Sequence, residues 1–173
     1  MKRYGLHELS SMSEAEFVAA LGGIFEHSPW VAKGAYAQRP FASVLALHSA
    51  MVDVVNTADR ETQLRLIRAH PELASKAAVR KELTEHSNRE QAGAGLTECS
   101  PEELARLQQL NHDYNAKFGF PFILAVKGHD RQSVIANFAR RLGSDREIEI
   151  HECLNQIAKI ASFRLTDLVD ESR

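Results

Sequence analysis

Two cysteines, five prolines and nine glycines are spread over 173 residues, and each scarcity excludes something. Cys99 and Cys153 form neither a CxxC pair nor a metal-ligand spacing, so both read as reduced thiols and a disulfide framework is not supported. The glycines build no phosphate-cradling loop and no GxSxG elbow, which argues against nucleotide binding and serine hydrolysis. No apolar run reaches the length of a membrane span. The opening "MKRYGLHELSSMSEAEF" has two basic residues but no apolar segment behind them, and the closing "DESR" carries no peroxisomal or retention signal. A cytoplasmic protein is expected. A dominant charge is missing as well: the formal net charge is -2, with both signs intermixed. Neither nucleic acid nor an anionic membrane is therefore expected as a partner, and a small molecule or another protein is.

What the sequence has is helix. "SEAEF" from Ser13 and "SDREI" from Ser144 each place a serine three residues before a glutamate, the capping-box pattern, and "SPEEL" from Ser100 adds a proline at the first helical position. Asp59 alone marks a fourth start. Leu104, Leu107, Leu110, Tyr114 and Phe118 step by three or four, as do Leu45, His48, Val52 and Val55, so each set predicts a helix with one buried face. Helices are predicted over 13–26, 31–38, 42–57, 59–69, 79–92, 101–117, 130–142 and 146–168. The fold class is all-α, a single domain over 1–173 built as an irregular bundle of about seven or eight helices. Alternation of period two is not sustained anywhere. The stretch "KFGFPFILAVKG", Lys117 to Gly128, stands apart, because Gly119 and Pro121 argue against regular helix through its first half.

Polar residues on apolar faces carry the chemistry. On the last helix Ile150, Cys153, Leu154, Ile157, Ile160, Ala161 and Leu168 share one arc at 100° per residue, and Arg164 lies near its middle. A buried guanidinium needs an acceptor. Either an internal glutamate or snorkelling at the helix end satisfies it, or its planar fork faces a ligand oxygen. In "RLIRAHPELASK" Pro71 disfavours helix at His70, which places an imidazole at a bend, either bonded to a backbone carbonyl or at the rim of a cavity. In "EHSNREQAGAG" the stripe begun by Val79 and Leu83 continues as Ser87, Glu90 and Gln91. This is either a polar pocket wall or a solvated end, with a Ser87 to Glu90 capping box as a further option. "HECLN" at His151 begins like a zinc-protease motif but has Asn155 in place of the second histidine, and His86 with Glu90 is a weak pair, so no metal site is expected.

Taken in order, "SPW", "AHPELA", "SNREQAGAGL", "NHDYNAKFGFPFILAVKG" and "IAKIASFRL" resemble the OHCU decarboxylase family, from about residue 10 to the last helix. The resemblance implies an all-α, cofactor-free homodimer. Its substrate is 2-oxo-4-hydroxy-4-carboxy-5-ureidoimidazoline, a small molecule of urate degradation. It also implies that His70 and Glu90 are catalytic. Pro71, Ser87, Gln91, Phe122, Ile123, Leu124, Ala125, Val126 and Arg164 would bind the substrate. The alternatives are a lyase or hydrolase of another ureido compound, and a non-catalytic helical binding module.

Overall fold

The computed structural model describes residues 2–172, so Met1 and Arg173, the ends of the domain expected over 1–173, lie outside the described residues. The chain forms two compact units. One holds the residues up to Ala69 together with those from Ala158 onward; the other is His70–Ile157.

The first unit contains α1 (Leu6–Ser11), α2 (Glu14–Leu21), α3 (Pro29–Ala35), α4 (Val44–Thr57) and α5 (Arg60–Ala69). The cap signals read from sequence hold at two of these starts. Ser13 accepts from the Glu16 N–H in a full capping box, and Asp59 Oδ1 accepts from the Thr62 N–H at 2.7 Å. The α2 helix stops at Leu21 rather than at 26, where two consecutive glycines follow. On α4 the inward face is Leu47, Ala50, Met51 and Val55, whereas Leu45 is 71% exposed. This helix is apolar on more than one side, so a stripe of correct period could be drawn on the wrong face. Phe17 packs edge-on to Tyr36, with ring centroids 5.6 Å apart, and stacks on Phe41. A two-residue parallel pair, β1 (Tyr4–Gly5) with β2 (Val169–Asp170), is too short to leave a pattern in sequence.

Close approach of α3 to α4 depends on Gly34. A Cβ built there would lie 2.7 Å and 2.9 Å from the two Val54 methyls, well inside van der Waals contact. Gly34→Ala is expected to destabilise the protein by about 1–3 kcal/mol. A thermal melt checks this, and an unchanged midpoint would contradict it.

The second unit contains α6 (Lys76–Val79), α7 (Glu85–Gly93), α8 (Pro101–Phe118) and α9 (Arg131–Arg141). The long α10 (Arg146–Leu168) counts with this unit up to Ile157 and with the first from Ala158. The helix predicted over 79–92 is two helices with a break between them. The Lys81 N–H bonds the Ala78 carbonyl and the Glu82 N–H bonds the Ala77 carbonyl, with Lys81 in the left-handed region at φ 58, which closes α6 as a Schellman turn. Thr84 then caps α7 by accepting from the Ser87 N–H, so the helix starts there and not at a Ser87 to Glu90 box. A second correction concerns α10. The Asp145 carbonyl takes the first intrahelical bond, from Glu149, which puts Asp145 at the N-cap position in place of Ser144. The α8 stripe buries Leu107, Leu110, Tyr114 and Phe118 as its spacing requires, and Gly119 at φ 78 terminates it.

Candidate active site

His70 follows α5 in the chain and is buried, 7% exposed. The turn after it is held by side chains of α7 and α8. The Gln91 Oε1 accepts from the Ala74 N–H at 2.9 Å, and its Nε2 donates to the Glu72 carbonyl at 3.3 Å. The Asn111 Nδ2 donates to the Leu73 carbonyl, and the Asn115 Nδ2 to the Glu72 carboxylate. Ala74 is left-handed at φ 51, a conformation that residues with a Cβ hold only when their surroundings enforce it.

On α7 the polar inner face is real: Ser87 and Gln91 are buried, and Glu90 on the same side is half-buried. The face follows from spacing, since positions i, i+3 and i+4 fall on one side of a helix. The start of the stripe at Val79 and Leu83 does not belong to this helix, which begins at Glu85 after the Thr84 cap. Val79 ends α6 and is 52% exposed.

Phe122 to Val126 contains no helix or strand, and all five residues are buried. From Phe122 to Ala125 its main chain is bonded on alternate residues, and the Val126 carbonyl accepts from the His129 N–H at 2.9 Å. The Ile123 carbonyl accepts from Arg141 and the Ala125 N–H donates to Gln156 Oε1 at 3.0 Å, while the main-chain groups of Phe122 and Leu124 make no hydrogen bond among the described residues. Odd residues facing one way and even residues the other is the pattern of an extended chain. Buried backbone groups are rarely left unpaired. The unbonded edge is therefore the part of this segment suited to meet a polar ligand.

Behind the bonded edge sits a network that the sequence reading did not reveal. Arg141, 2% exposed, pairs with Glu149, its Nη2 lying 2.8 Å from Oε2, while its guanidinium rests 4.4 Å over the Phe122 ring. Tyr114 donates its hydroxyl to the same carboxylate oxygen and lies 3.5 Å from the Cys153 sulfur. Burial, with Cys153 and Glu149 alongside, pushes the Tyr114 hydroxyl well above its ordinary range, and burial likewise raises the Cys153 thiol. Both stay protonated and serve as hydrogen-bonding groups. Phe122 also stacks on Phe138, with centroids 3.9 Å apart, inside a cluster completed by Tyr114, Phe118 and Phe120.

Of the residues singled out from sequence, His70, Pro71, Ser87, Glu90, Gln91 and Phe122 to Val126 belong to one compact unit. Arg164 belongs to the other, where its Nη1 lies 2.8 Å from Glu26 Oε2 in a buried ion pair and also reaches the carbonyls of Gly23 and Ile24. The acceptor required by an arginine on an apolar stripe is thus Glu26. Among the described residues no group of three or more His, Cys, Asp or Glu side chains is placed to hold a metal ion.

Fold and site together define the class: an all-α protein that carries a buried histidine, a polar helix face and a buried apolar segment in one compact unit. The family model for OHCU decarboxylase matches residues 10–166, and the chain belongs to that family. It is 43% identical over 97% of its length to the uric acid degradation bifunctional protein PucL of Bacillus subtilis, and it spans about a third (33%) of that relative. It is 40% identical to the 2-oxo-4-hydroxy-4-carboxy-5-ureidoimidazoline decarboxylase of Haloferax volcanii, covering 96% of this chain and 97% of that one. Among solved structures, (S)-allantoin synthase superposes with a TM-score of 0.76 at 31% identity, over 96% of this chain and 55% of that one. No helix among the described residues is long and apolar enough to cross a membrane.

Proposed function

We propose that this chain decarboxylates 2-oxo-4-hydroxy-4-carboxy-5-ureidoimidazoline to (S)-allantoin and CO2 in urate degradation, as a cytoplasmic homodimer and without a cofactor. The observation that carries the reading is the end-to-end match, at 40% identity, to a relative named for that reaction. The chemistry is consistent with a protein made of side chains alone. When the carboxylate carbon–carbon bond breaks, its electron pair is left on a ring carbon, and the adjacent C=N system delocalises it. No external electron sink is required. What remains for the protein is to hold the ring, surround the departing carboxylate and deliver one proton to one face.

The residues named above supply these functions as follows. His70, on its braced turn, engages the substrate hydroxyl or carboxyl group and acts in proton transfer with Glu90. Ser87 and Gln91 on the inner face of α7, with Pro71, bind the polar ring. Gln91 Nε2 keeps one N–H for this purpose beyond the one it donates to Glu72. The segment Phe122 to Val126 presents apolar side chains together with the unbonded main-chain groups of Phe122 and Leu124. Arg164 binds a carbonyl or ureido oxygen, an assignment that rests on the family resemblance.

The test is to generate the labile intermediate from urate enzymatically, add this protein, and follow the circular dichroism of allantoin. A faster signal of the (S) sign is expected. Formation of racemate at the spontaneous rate would refute the reading.

A further inference from the structure

Three side-chain amides converge on three consecutive residues beyond His70–Pro71. Gln91 takes both the Glu72 carbonyl and the Ala74 N–H, Asn115 takes the Glu72 carboxylate at 2.6 Å, and Asn111 takes the Leu73 carbonyl at 2.8 Å. The pyrrolidine ring of Pro71 fixes its own φ and keeps His70 out of the helical region. With the backbone at 70–71 limited by that ring and 72–74 held by amides, the position of the turn sets where the His70 backbone lies. Asn111 pins the middle of the turn.

Asn111 is also an anomaly. It is 5% exposed, and its Oδ1 has no hydrogen-bond partner among the described residues. An apolar side chain would remove that orphan, so packing does not account for an asparagine here. The bond from its other end does. Without it the carbonyl of the buried Leu73 would lose the partner it has, in a turn already strained at Ala74.

We propose that Asn111 is a positioning residue for His70. It acts through the Leu73 carbonyl on the turn that carries the imidazole, and it does not touch the substrate. The kinetic consequence rests on the decarboxylase reading; the structural consequence does not. Two readouts on Asn111→Leu therefore test it. The first is steady-state decarboxylation. A kcat lower by about a hundredfold with KM within twofold of wild type is expected, since misplacing a reacting group by about 1 Å costs that much. The second is the NMR signal of the His70 imidazole in protein labelled at its eight histidines, assigned through its loss in His70→Asn. A displaced His70 signal is expected, with the signals of the other histidines unmoved except that of His112, which adjoins Asn111 in the chain. A folded variant with wild-type kcat, one in which KM alone rises, or an unmoved His70 signal would overturn the proposal. Should Asn111→Leu fail to fold, Asn111→Ser, which keeps a hydroxyl too short to reach Leu73, is read by the same criteria. If the wild-type protein proves inactive on this substrate, the decarboxylase reading fails alone, and the His70 signal still decides whether Asn111 sets the turn.

Discussion

The His70→Asn protein is expected to fold normally and to lose decarboxylation by roughly a thousandfold, within the usual range of 10²–10⁴ for removing a general acid or base. Asparagine keeps a planar polar group of similar reach and tolerates the position before Pro71, so the braced turn has no reason to collapse. Far-UV circular dichroism and the melting temperature should stay near wild type. The loss should fall on kcat, because the amide can still hydrogen-bond the substrate but cannot carry a proton. Unreduced activity in a folded variant would remove His70 from the chemistry while leaving the family assignment intact.

The largest effect on stability is expected from Glu149→Ala. Arg141 would then lie buried with no carboxylate, since Glu149 supplies the contacts at 3.1 Å and 3.2 Å to Nε and at 2.8 Å to Nη2. Breaking a buried pair from one side costs about 3–5 kcal/mol. In a chain of this size, melting temperatures fall by about 2–4 °C per kcal/mol, so a drop on the order of 10 °C is expected. Tyr114 loses its acceptor in the same substitution, which deepens the effect. The double variant Arg141→Met/Glu149→Leu should recover part of the loss, because no charge then remains buried. A Glu149→Ala protein melting within 2 °C of wild type would show that the pair contributes little. Activity need not follow stability in the double variant, since the Arg141 bond to the Ile123 carbonyl disappears with the guanidinium.

The helices were largely written in local chemistry. Caps at Ser13, Asp59 and Ser100, and the step of three or four from Leu107 to Phe118, act within a few residues, and a short-range signal survives in a linear string. The eight predicted helices find counterparts. The misses are the six-residue α1, the four-residue α6 and strands of two residues, all too short to display a period. The break after Val79 was missed because a Schellman turn at a lysine lacks the glycine that usually announces one.

For the site, sequence determined which residues to examine. His70 before a proline, the polar turn of an amphipathic helix, and an arginine on an apolar arc are each locally odd. Tertiary structure alone decided what holds them. Asn111 meets Leu73 across 38 positions, Gln156 meets Ala125 across 31, and Arg164 meets Glu26 across 138. Glu26, Asn111 and Glu149 look like ordinary solvated residues in the string. A buried polar residue is stable only beside its partner, and pairing across such separations is set by how the helices pack, which no local pattern records.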